Sequence, residues 1–141
     1  MFNPTRDEVR QFFIGTWAKH QERTPLSPLE AIALDWMFEH PEYHATLASG
    51  DQALHEDYRP EGGQTNPFLH LSMHLSIAEQ VSIDQPPGIR AAVESLRARL
   101  DSAHEAHHRV MECLGQMLWT AQRNGSPPDA VAYIDCVRRC V

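Results

Sequence analysis

Residues 66–83 read NPFLHLSMHLSIAEQVSI, and the spacing of polar and apolar side chains along them decides the fold class. Asn66 offers a cap and Pro67 has the fixed φ that suits a first helical position, which predicts a helix to about Ile83. At roughly 100° per residue, Ser72, Ser76 and Glu79 line up as one polar stripe. His70 and His74 fall nearly opposite that stripe, beside Ile77 and Val81, with Leu71, Met73, Leu75 and Ala78 flanking them. A polar group left unsatisfied in a core costs about 1–3 kcal/mol. Two imidazoles on the apolar side of a helix therefore need a metal, a carboxylate or a shared hydrogen-bond network.

The same helical period runs through the rest of the chain. A first helix is expected from Pro4 to about Gln21, capped by Asn3, with Val9, Phe12, Phe13, Thr16 and Trp17 as its core stripe. A second begins at Ser27-Pro28-Leu29-Glu30, a capping box with proline at its first position, and presents Leu29, Ile32, Ala33, Trp36 and Met37. Pro41 disfavours helical geometry at His40, so this helix ends or kinks near Glu39 and a short helix carrying His44 follows. Ala48–Thr65 reads as a long loop. After the turn Asp84–Gly88, a long helix is predicted from Ile89 to about Arg123, with Asp101-Ser102 and Gly115 as the places to bend. Asn124–Pro128 stops it, and a last helix covers Asp129–Cys140. No run of alternating β-branched residues argues for a sheet. The expected architecture is a single all-α domain over residues 1–141, an antiparallel bundle of four main helices plus short extra helices.

The nine histidines carry the chemistry. Six form pairs four residues apart, His40/His44, His70/His74 and His104/His108, and the last pair continues to Glu112. Side chains at i and i+4 on a helix stand roughly 5–6 Å apart at Cβ, close enough for two imidazoles to hold one metal ion. The candidate ligands are His44, His70, His74, His104, His108 and Glu112, with His40 as a further member or a cap that closes the turn. His104, His108 and Glu112 form a ridge beside the apolar face of their helix, which places them against another helix or on a solvated edge. His107 falls within that apolar face and reads as a core or boundary histidine, while His20 and His55 read as surface residues.

Composition bounds the remaining classes. A chain of 141 residues with 42% apolar content can bury a core without disulfides. Cys113, Cys136 and Cys140 lack the Cys-x-x-Cys spacing of a zinc knuckle and read as reduced thiols of a cytoplasmic protein. The first residues lack a basic segment followed by an apolar run, and no apolar run approaches the ~20 residues of a membrane span. A net charge of −7 argues against nucleic-acid binding, which depends on cationic contacts to phosphates. No nucleophile elbow, phosphate loop or dinucleotide fingerprint is present. The partners left open are a second copy of the chain or another protein.

Imidazole with carboxylate suits iron or zinc as the cofactor. Glu105-x-x-His108 occurs once where a ferritin-like di-iron site needs that motif twice. His108-x-x-x-Glu112 and His70-x-x-x-His74 resemble the hemerythrin ligand motifs in logic, but in reversed order. The strings Glu39-His40-Pro41-Glu42-Tyr43-His44, Asn66–His74, Ser82–Arg90 and Met111-Glu112-Cys113-Leu114-Gly115 resemble those of a family of small proteobacterial proteins known only as a domain of unknown function. That likeness spans nearly the whole chain and implies a bacterial, cytoplasmic protein with no activity attached.

The reading is a metal-binding helical bundle with a histidine-rich mono- or dinuclear site, catalytic or not. With iron, oxygen or redox chemistry would follow, and the Gly50–Thr65 loop would cover the site. With zinc, hydrolysis or structural support would follow. The alternative is a non-enzymatic interaction module with structural histidines, presenting Trp36, Trp119 or its acidic face to a partner.

Overall fold

The computed structural model describes residues 5–56, 58 and 66–140. All regular structure among them is helical, in the order α1 (Arg6–Gln21), α2 (Pro28–Phe38), a 3₁₀ turn (Pro41–Tyr43), α3 (His44–Ala48), α4 (Asp51–His55), α5 (Pro67–Ile83), α6 (Ile89–Leu100), α7 (Ala103–Asn124) and α8 (Ala130–Arg139). The contacts divide into two compact units, one up to Leu75 and one from Ser76 onward.

In the first unit α1 packs against α2, α3 and α4. Phe13, Trp17, Ala33, Leu34, Met37, Leu47, Ala53, Phe68 and Leu71 form its core. The helix starts follow their caps. Ser27 accepts from the Glu30 amide while the Glu30 carboxylate accepts from the Ser27 amide, the reciprocal box its spacing predicts. At α1 the cap is Thr5, boxed with Glu8, in place of the expected Asn3; Asn3 and Pro4 lie outside the described residues. Arg10 is buried inside the α1 stripe. Its guanidinium donates to the carbonyls of Ala53, Leu54 and Glu56 at 3.0, 3.1 and 2.7 Å, and its Cζ stands 5.3 Å from the Tyr58 ring centre and 5.2 Å from that of Phe68. These carbonyls close the C-terminal end of α4, where a helix leaves acceptors without intrahelical donors. The expected Ala48–Thr65 loop thus contains the last residue of α3 and all of α4; its residues 57 and 59–65 lie outside the described residues.

In the second unit α6, α7 and α8 pack pairwise, burying Ile89, Ala92, Val93, Leu96, Val110, Met111, Leu114, Tyr133, Ile134 and Val137. The long helix expected from Ile89 is two. Asp101 adopts a left-handed backbone (φ 52°), and Ser102 then caps α7 through the Glu105 amide at 3.1 Å. Short polar Asp tolerates that conformation, and Ser beside it favours a new helix start. Gly115 stays inside α7. Entry to α6 is set by Asp84, whose Oδ1 accepts from the Gly88 and Arg90 amides at 3.2 and 3.0 Å; Gly88, at φ 97°, supplies the backbone that this turn requires. The expectation of reduced thiols is overturned for two of the three cysteines. Cys113 of α7 and Cys136 of α8 form a disulfide, and Cys140 is free. Their side chains meet because α7 and α8 pack with those two positions facing, which the spacing within either helix does not reveal.

Candidate metal centre

His70 and His74 sit one turn apart on α5, on the face opposite the exposed Ser76 and Glu79, as the helical phase predicts. His40 joins them from the break after α2. The break brings it there: His40 (φ −129°, ψ 66°) lies between the C-cap of α2 and the 3₁₀ turn that Pro41 opens. His40 Nε2 lies 3.0 Å from His70 Nε2, which lies 3.2 Å from His74 Nε2. The His40 and His74 side chains are buried, and His70 is half-buried.

The protons on this trio follow from their partners. His40 Nδ1 stands 2.7 Å from the Trp36 carbonyl, and a carbonyl only accepts. Nδ1 therefore carries a proton, and in the neutral tautomer this leaves the lone pair of Nε2 facing His70. Each ring nitrogen has a single in-plane position, filled by a proton or a lone pair, so His70 Nε2 cannot accept from one neighbour while donating to the other. A cation meets the same geometry more simply. Ligand nitrogens about 2.0–2.1 Å from a zinc ion, subtending about 90–110°, stand about 2.8–3.4 Å apart. The 3.0 and 3.2 Å separations fall inside that window. A backbone carbonyl holding the distal N–H is also the usual support for a ligand imidazole.

Aromatic rings wall the trio. Trp36 stacks on His74 with centroids 4.2 Å apart and planes 14° from parallel, and Tyr43 stacks on His40 at 5.2 Å and 3°. Burial, and secondarily the Glu42 charge, raises the Tyr43 pKa above its ordinary value, so the ring stays a neutral phenol. The walls restrict the orientations of the His40 and His74 rings.

His44 is placed differently. Its Nε2 donates to the Met37 carbonyl at 2.8 Å and its ring stacks on Trp17 at 4.4 Å. The structure does not bring it to the trio. With His40 it satisfies two carbonyls at the end of α2, a capping role for both. His20 packs half-buried against Trp17 and Phe38, and His55 is exposed.

In the second unit His104 and His108 are neighbours on α7, with ring centres 4.3 Å apart at 67°. Both are half-buried, and Nε2 of His108 is shielded from solvent. Glu112, the third member of the expected ridge, is exposed. His107 is buried, and its pKa falls to about 4, chiefly through desolvation and then through His104, His108 and Arg97. It is a neutral core histidine, as its place in the apolar face suggests. His40 and His74, both buried, and His104 and His108, both half-buried, are compatible with metal binding.

Sequence reasoning missed the two walls and Arg10. Trp36 and Tyr43 stand four and three residues from His40, and that proximity was their only signal. Arg10 had none, because its acceptors are carbonyls more than forty residues away.

Fold and site together define an all-helical protein with an imidazole cluster suited to a transition metal. The profile of the family described as Domain of unknown function (DUF1841) matches residues 5–139, and the chain belongs to that family. No curated protein and no solved structure matches it.

Proposed function

We propose that this protein holds a transition-metal ion on the imidazole nitrogens of His40, His70 and His74 in the first unit, and that His104 and His108 of the second unit are a further candidate ligand pair. One observation carries the reading: the Nε2 atoms of His40, His70 and His74 stand 3.0 and 3.2 Å apart in sequence along the trio while His40 Nδ1 is tied to a carbonyl. A set made of imidazole favours zinc over magnesium, calcium or manganese. Iron, the other expectation, gains from a carboxylate ligand, and Glu112 is exposed, so zinc is preferred and an oxygen-handling role recedes. The aromatic walls favour a structural or storage site over hydrolysis, which needs an open coordination position.

Metal analysis of protein purified without a polyhistidine tag tests this. Near-stoichiometric metal is expected, with loss in His70→Ala/His74→Ala and a fall in melting temperature on chelation. Metal-free native protein whose melting temperature ignores chelators and added zinc or iron would end it. That outcome would favour the interaction module, for which Trp119 is the better surface: it is 59% exposed, beside Leu118 at 49%, whereas Trp36 is taken up by His74. No described helix is long and apolar enough to cross a membrane. A cytoplasmic setting is proposed with the metal reading, and it makes the Cys113–Cys136 bond the feature to explain.

A further inference from the structure

Cys113 and Cys136 both line a cavity of about 350 Å³ formed by α7, α8 and the turn between them. Gln116, Thr120 and Asn124 of α7, Arg139 of α8 and Asp129, the α8 cap, are polar residues lining the same cavity. Cys113 is buried, whereas Cys136 is half-buried. A disulfide that only ties two helices together is best kept away from solvent, since exchange depends on access of a thiolate to one sulfur. Here a space at the lower end of ordinary small-ligand pockets opens on the bond, with a cationic side chain on its rim.

We propose that Cys113–Cys136 is a reversible thiol–disulfide centre, and that the cavity seats a small carboxylate-bearing thiol of the glutathione class. The thiolate of that molecule attacks Sγ of half-buried Cys136. The S–S bond breaks, its electron pair leaves on Cys113 Sγ, and that sulfur takes a proton from solvent. A second molecule attacks the thiol's own sulfur in the mixed disulfide, releasing Cys136 as a thiolate and leaving the small molecule as its disulfide. Two thiols are oxidised and one protein disulfide is reduced, so the electrons balance. Arg139 is assigned the substrate carboxylate. Cys140, whose Sγ donates to the Cys136 carbonyl at 3.3 Å, lies beside the centre and takes no part in these steps.

The full chain, equilibrated with mixtures of reduced and oxidised glutathione, then alkylated and weighed by mass spectrometry, tests the assignment. Cys113 and Cys136 are expected to open together as the mixture becomes more reducing, with helicity unchanged by circular dichroism. Cys113→Ser should accumulate a glutathione adduct on Cys136. A pair that resists glutathione until denaturant is added, or that opens only with loss of helicity, overturns the proposal whether or not the serine variant folds. Arg139→Gln sharpens it: exchange with glutathione should slow about two- to fivefold relative to exchange with uncharged mercaptoethanol, the effect of one exposed charge. Equal slowing of both thiols would overturn the seat for the carboxylate. Cys140→Ser should leave the equilibrium as it is, and a shift there would overturn the two-cysteine assignment.

Discussion

The two units carry histidines at the same i,i+4 spacing in different settings. In the first, each ring of the trio has an identified support: a carbonyl behind His40, Trp36 against His74, Tyr43 against His40, and the partners' nitrogens at 3.0 and 3.2 Å. In the second, His104 and His108 lean edge-to-face on one helix, half-buried, and raise the cost of charging their neighbour His107. Spacing nominates a pair of ligands; the supports around it decide how firmly the pair is held. An imidazole oriented before metal arrives loses less freedom on binding.

The largest expected effect separates the two pairs directly. His74→Ala should weaken zinc binding by more than about 100-fold, beyond the usual loss for a supporting residue, and His104→Ala by less. Competition against a chromophoric chelator measures both. Equal losses would show that the supports do not matter, and no loss in either would end the metal reading.

Stability of the first unit rests on a different buried cation. Arg10→Met keeps much of the stem volume but leaves three carbonyls without their donor, and hydrogen bonds to charged groups contribute about 1.5–3 kcal/mol each. Because water can reach part of the α4 end, a loss of about 3 kcal/mol is expected in urea unfolding. A loss below about 1 kcal/mol, typical of exposed pairs, would mean that α4 closes without it.

In the second unit the corresponding probe is pH. His107 has its pKa lowered from 6.5 to about 4 in the folded state. Below pH 6.5 the unfolded chain therefore binds more protons than the folded one. The contribution is fully present above that pH and is lost as pH falls toward 4, by up to about 3 kcal/mol. Chelator-treated protein should show this slope in urea midpoints between pH 7 and 4, and His107→Leu should flatten it. An unchanged slope in that variant would place the proton uptake elsewhere.

These comparisons also mark what could be read before the structure. The α5 face was legible because it depends only on angular phase: Ser76 and Glu79 are exposed, and His74 and Ile77 are buried. The break at His40 was legible because Pro41 is a local steric fact. The Ile89–Arg123 stretch kept its helical period across the break, so only Asp101-Ser102 hinted that it was two helices, and Gly115 hinted the same without effect. Arg10, the Trp36 wall and the Cys113–Cys136 bond depend on which elements pack together. The bond joins positions 23 residues apart on two helices, and neither helix alone says which of its faces will meet the other.

The smallest predicted effect probes the helix starts beneath the two clusters. Ser27 caps α2 and Ser102 caps α7, each through the amide three residues on, at 3.2 and 3.1 Å. Either serine replaced by alanine should cost about 1 kcal/mol. The metal readout should differ. Ser102 lies two residues before His104, so fraying there loosens the first turn of α7, which carries that imidazole. Ser27 lies a full helix away from His40, and His40 is pinned at the far end of α2 by the Trp36 carbonyl. Ser102→Ala should therefore lower zinc affinity by a few fold, within the tenfold that 1.4 kcal/mol represents, while Ser27→Ala leaves it unchanged. Titration of the two variants under matched folded fractions checks this, and a larger loss in Ser27→Ala would show that the first cluster depends on the whole of α2 and not on its anchored end.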